Sequence, residues 1–89
     1  MTNNLFDRNF ASATSYIFSE QMELKGKNLE DVAEGTSTKY NTLYRYFNGT
    51  RMFPLKLFID VCKYLEMDFE ETYRRVHKTS LEKTINEYS

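Results

Sequence analysis

Four of the chain's 12 lysines and arginines, Lys39, Arg45, Arg51 and Lys56, fall between Glu34 and Asp60, where none of its 13 aspartates and glutamates lies. Cations gathered on a stretch without carboxylates are suited to neutralising a polyanion such as a phosphate backbone. The net charge of −1 counts against that reading, because nucleic-acid-binding domains are usually basic overall. The distribution speaks for it: the rest of the chain is acidic, and a polarised field can present one positive face. A small basic cluster alone is often only a wetted surface. Its meaning depends on the elements that carry it.

Other chemistry is poorly supported. Cys62 is the only cysteine, so no disulfide can form within the chain and no Cys/His cluster can hold a metal. It sits on an apolar stripe, which favours a buried structural thiol over a nucleophile. His77 is the only histidine and is placed near a helix end, where the dipole or plain exposure accounts for it. Asp60, Glu66, Asp68, Glu70 and Glu71 read as helix caps and solvated surface. Acid–base catalysis by such carboxylates would need a pocket, which a helical bundle of 89 residues does not promise. The chain is therefore expected not to be an enzyme and to need no cofactor or metal. The N-terminal stretch has no cationic segment followed by an apolar run, so no secretory leader is expected. No apolar run approaches the ~20 residues of a membrane span. These features and the cysteine usage suggest a reducing cytoplasm.

Only three glycines and one proline interrupt the chain, which predicts helices joined by short turns. A chain of this length supports one modest core, read here as a single domain over 1–89. The first helix is expected from about Asn9 to Lys25, with Phe6, Phe10, Ala13, Ile17 and Leu24 at helical spacing, Phe18 and Met22 widening the stripe, and Gly26 as the stop. Asn28-Leu-Glu-Asp31 is close to a capping box and opens a short second helix ending near Gly35. After the turn Gly35-Thr-Ser-Thr38, a third helix runs from Lys39 to Phe47, capped by Thr38 or a neighbour and ended by Asn48-Gly49. Pro54 opens a fourth helix with Leu55, Phe58, Ile59, Cys62 and Leu65 on its apolar stripe. Asp68 caps a fifth helix to about His77, with Glu70–Arg74 and Glu71–Arg75 as i,i+4 pairs. After a break, Ser80 is expected to cap a last short helix within a C-terminal tail over 78–89, whose Leu81, Ile85 and Tyr88 have two open roles: packing within the chain or a dimer contact. The fold class is all-α, a compact bundle of about five short helices with a helical tail.

Two short helices joined by a tight turn, the second basic and free of acids, outline a helix-turn-helix, whose second helix enters the major groove of DNA. Asn28 to Gly49 resembles, without a gap, the helix-turn-helix of the lambda-repressor and Cro-like (XRE) family. Ala33 stands at the small residue of that pattern, Val32, Leu43 and Tyr46 at its buried positions, and Asn48-Gly49 at the end of its reading helix. Arg51, Pro54, the run from Leu57 to Leu65, and Glu66 to Glu71 resemble the following two helices. The likeness extends over roughly residues 12–76. The departures are Ser37 for the usual turn glycine, Thr38 for an apolar residue, Leu29 for a polar residue that touches phosphate, and Phe47 for a position that is often acidic.

The resemblance implies a lambda-repressor-like bundle that binds double-stranded DNA. It places Tyr40, Asn41, Tyr44 and Arg45 towards the bases, with Arg45 suited to guanine and Asn41 to adenine. It assigns Lys39, Asn48, Thr50, Arg51 and Lys56 to phosphates, with Asn28 standing in for Leu29. It further implies a transcriptional regulator, such as a phage-type or mobile-element repressor, acting as a homodimer on a two-fold operator. A second reading stays open: a protein-binding module on the same fold, such as an antirepressor, an antitoxin-like partner or an inhibitor of a nucleic-acid enzyme. The acidic net charge and the aromatics Tyr40, Tyr44 and Phe47 support it, and fold alone does not fix function.

Overall fold

The two longest helices lie at the two ends of the chain. In the computed structural model, which describes residues 5–88, α1 spans Leu5–Lys25, α2 Leu29–Gly35, α3 Tyr40–Phe47, α4 Leu55–Tyr64 and α5 Phe69–Tyr88, and the described residues contain no strand. The first four residues of the N-terminal stretch and the last residue of the expected tail lie outside the described range. The all-α bundle is as expected. Its most extensive interface joins α1 to α5.

The core is centred on Phe18, which is fully buried on α1. Its ring centroid lies 5.0 Å from that of Phe58 on α4, 5.3 Å from Phe53 in the α3–α4 loop and 6.1 Å from Phe47 at the end of α3. Phe10, Ile17, Met22, Val32, Leu43, Val61, Leu65 and Val76 close around this group. Buried aromatic pairs contribute about 0.5–1.5 kcal/mol each beyond the area they bury. One residue of α1 thus fixes three elements at once.

Several expected details differ. α1 begins about one turn earlier than its periodicity indicates, because Phe6 packs against Phe10 and against His77 of α5, at 5.9 and 5.7 Å. Leu24 is 79% exposed and lies off the buried stripe, and Leu55 is exposed as well. On α4 the buried face is Phe58, Val61, Cys62 and Leu65, with Ile59 at its margin. The expected break at 78–80 does not occur, since α5 runs unbroken to Tyr88. Ser80 is not a cap: it is buried, and its hydroxyl donates back to Val76 O at 2.6 Å. Thr84 does the same to Ser80 O at 2.8 Å. This back-bonding satisfies a buried hydroxyl inside a helix. Thr72, Val76, Ser80 and Thr84 form the buried stripe of α5. His77 is accordingly in mid-helix. Among the described residues, neither Glu70–Arg74 nor Glu71–Arg75 pairs, and Arg75 instead lies 4.0 Å from Glu20 of α1.

Gly35 is required by a close approach. A Cβ built there would lie 2.2 Å from the Tyr64 ring, which rests on the end of α2. Lys27 covers the same ring, its Nζ 5.5 Å from the centroid. Replacing Gly35 by Ala should therefore displace Tyr64 and lower stability by about 1–3 kcal/mol in denaturant unfolding. An unchanged midpoint would refute the packing argument. Burial raises the Cys62 pKa from 9.0 to about 11, partly opposed by a hydrogen bond with Thr72. The neutral thiol is the form that folding favours. Its contribution to stability is complete below about pH 9 and is lost as pH rises from there to about 11. Thermal melts should show this alkaline loss, and Cys62→Ala should reduce it.

Candidate nucleic-acid interface

The helix that carries the candidate residues is short and is held by its neighbours. α2 is anchored at Asn28, whose side chain accepts from Asp31 N at 2.8 Å while Asn28 N donates to the Asp31 carboxylate at 2.9 Å. This completes the capping box. Asn28 is thus a cap in the free chain, with its amide oxygen used. α2 leaves through Ser37 at φ 54, with Ser37 N bonded to Glu34 O at 3.2 Å and Thr38 N to Ala33 O at 2.9 Å. These two bonds define a Schellman turn, normally built on glycine. Ser37 thus stands in the left-handed region where the usual pattern has glycine. The cap of α3 is Lys39, with no side-chain hydrogen bond. Thr38 does not cap it. Its hydroxyl accepts from Thr36 Oγ1 at 2.9 Å and can donate to Thr36 O at 3.2 Å, bracing the turn.

α3 is divided lengthwise. Leu43 is fully buried, and Tyr46 and Phe47 are half-buried against Phe53, at 5.5 and 5.2 Å. Phe47 is therefore packing and not an exposed aromatic. The opposite side carries Tyr40 (46% exposed), Asn41, Tyr44 (54% exposed) and Arg45. Tyr40 and Tyr44 lie nearly parallel, 13° between planes and 6.4 Å between centroids. The structure thus brings the four candidate base-contacting residues to one exposed side.

The candidate phosphate contacts surround this side unevenly. Lys39 precedes α3 and is exposed, as is Arg51 beyond it. Asn48 Oδ1 accepts from Thr50 N at 3.1 Å and from Thr50 Oγ1 at 2.8 Å. Both Thr50 protons are thus spent within the loop in the free chain. Lys56 pairs with Asp60, one turn on, at 2.8 Å. One positioning residue escaped the sequence reading. Ser15 of α1 donates to Phe47 O and ties α1 to the exit of α3. No signal near residue 47 marks Ser15. Among the described residues no cluster of His, Cys, Asp and Glu is arranged to hold a metal ion, and no helix is long and apolar enough to cross a membrane.

A capped helix, a left-handed turn and a second helix with an exposed cationic side, all packed on α1 and α4, define a helix-turn-helix domain of the DNA-binding regulator class. Residues 19–71, more than half of the chain, match the sequence profile of the helix-turn-helix family to which the lambda-repressor-like (XRE) domains belong. The chain belongs to this family, whose members are DNA-binding regulators. No curated protein and no solved structure matches it.

The left-handed Ser37 gives a direct check of the turn. A non-glycine residue there costs about 1–2 kcal/mol, against about 0.5–1 kcal/mol of extra unfolded-state freedom for glycine. Ser37→Gly should therefore raise stability slightly, by up to about 1 kcal/mol. A loss of stability in chemical denaturation would contradict the assigned turn.

Proposed function

We propose that the protein is a sequence-specific, duplex-DNA-binding transcriptional regulator, a cytoplasmic repressor of the phage or mobile-element type that occupies its operator as a homodimer. The observation that carries this reading is the exposed side of α3, where Tyr40, Asn41, Tyr44 and Arg45 stand together on a stretch without carboxylates. Arg45 offers a guanidinium fork that matches guanine O6 and N7, and Asn41 an amide that matches adenine. Tyr40 and Tyr44 supply ring surface for thymine methyl groups or a hydroxyl for phosphate. Lys39, Asn48 and Arg51 flank the groove as backbone contacts, with Asn28, Thr50 and Lys56 at its margin. The dimer would form on the outer face of α5, where Leu81 and Tyr88 are exposed beside Ile85. A single reading helix of eight residues gives limited affinity, and a two-fold pair doubles the contacts.

The protein-binding reading retains one specific support, the exposed Tyr40–Tyr44 pair, because tyrosine is enriched at protein interfaces. The burial of Phe47 takes away another.

Titrating DNA from upstream of the chain's own gene against random duplex, by fluorescence anisotropy at two salt concentrations, tests both. The expected preference is ~1000-fold or more, weakening steeply with salt. A footprint with half-sites about one helical turn apart is expected for the dimer. Arg45→Ala should cost about 1–3 kcal/mol of discrimination with folding intact. No binding at low salt would sink the proposal and direct attention to a protein partner on α3.

A further inference from the structure

The family match ends at residue 71 and begins at residue 19, but the helices do not. The first part of α1 and most of α5 lie outside it and run alongside each other. They are locked by Asn9, only 6% exposed, whose amide donates at 3.0 Å to Thr84 Oγ1 and at 3.0 Å to Glu87 Oε1. The far ends of this helix pair border a half-open cleft of about 430 Å³, whose opposite wall is Gly49 and Thr50, the exit of the reading helix. Two cations enter it, Arg8 from α1 and Lys83 from α5, both exposed. Glu87 lines it too, its carboxylate held by Asn9. Arg51 lines the adjoining pocket with Asp7 and Thr50.

From this arrangement we infer that Arg8 and Lys83 form an additional clamp on the DNA backbone, continuous with the Asn48–Arg51 loop. The inference rests on the DNA-reading function proposed above. A reading helix seated in the major groove carries its exit loop to the flanking phosphates. Side chains that share a cleft with that loop meet the same strand. Arg8 supplies a planar fork matched to a phosphodiester, and Lys83 a mobile point charge. Glu87 opposes them: it fixes the end of α5 through Asn9 and weakens the local positive field. The clamp contributes affinity and salt dependence but no sequence preference, because phosphates carry no base information.

The test is a salt titration of DNA binding for the full chain and four single variants, each on upstream and random duplex. Arg8→Gln and Lys83→Gln should each make the slope of log K against log salt shallower by about one, equally on both DNAs. Glu87→Gln should tighten binding to both, because glutamine keeps an oxygen for Asn9 and drops the charge. Lys78→Gln, which removes an exposed cation of α5 outside the cleft, should leave the slope unchanged. Wild-type slopes in Arg8→Gln and Lys83→Gln, or an equal loss in Lys78→Gln, would overturn the clamp while leaving DNA reading intact. Failure of the unaltered chain to bind any duplex would overturn DNA reading, and the clamp with it.

Discussion

The contact of Phe18 with Phe47, Phe53 and Phe58 is the constraint on which the rest of the fold depends. α3 is too short to be stable alone, since isolated helices below about 12 residues are marginal in water. Its direction must be set by tertiary contacts. Phe18 provides them by gripping the end of α3, the loop beyond it and α4 from one buried position, and Ser15 adds a hydrogen bond to Phe47 O one turn earlier. The exposed side of α3 follows from this grip. With Leu43, Tyr46 and Phe47 turned inward, Tyr40, Asn41, Tyr44 and Arg45 have only the outside left to them.

Three of the helix exits share one device. Gly26, Ser37 and Glu66 all have positive φ, at 67, 54 and 60°. Each is followed by the same pair of backbone bonds closing the preceding helix. Glycine marks the first and was readable as a stop. The turn Gly35–Thr38 was readable, but its left-handed residue could be assigned to Ser37 only through the family pattern, because serine does not announce a left-handed backbone. Glu66 gave no signal. Its conformation is accompanied by an ion pair with Lys25, which follows from the spatial approach of the ends of α1 and α4 and holds its carboxyl below the usual range.

What the sequence disclosed was whatever local chemistry governs: the Asn28 and Asp68 caps, the Gly49 exit and the basic stretch. Asp68 does accept from Glu71 N, at 2.8 Å. What stayed hidden were arrangements between distant segments. Ser80 read as a cap, and nothing in the sequence marked Thr72 or Thr84 as buried, because serine and threonine normally avoid helix interiors. Only the packed neighbours show why they stand there: α1 reaches Thr84 through Asn9, and α4 reaches Thr72 through Cys62. Asn9, buried against residues 75 and 78 positions away, was equally unreadable. The expected Glu–Arg pairs on α5 failed for the same reason, since Arg75 faces α1 instead.

The four-residue spacing of that buried stripe has an evolutionary consequence. Positions 72, 76, 80 and 84 are buried between α5 and its packed neighbours. The outer positions 81, 85 and 88 are open to solvent. Two sets of residues on one helix are therefore free to drift at different rates. If two copies pair through that outer face as proposed, lineages could exchange the pairing surface while leaving the orientation of α3 untouched. Under that proposal, paralogues within one cell could diverge in pairing before they diverge in the DNA they read.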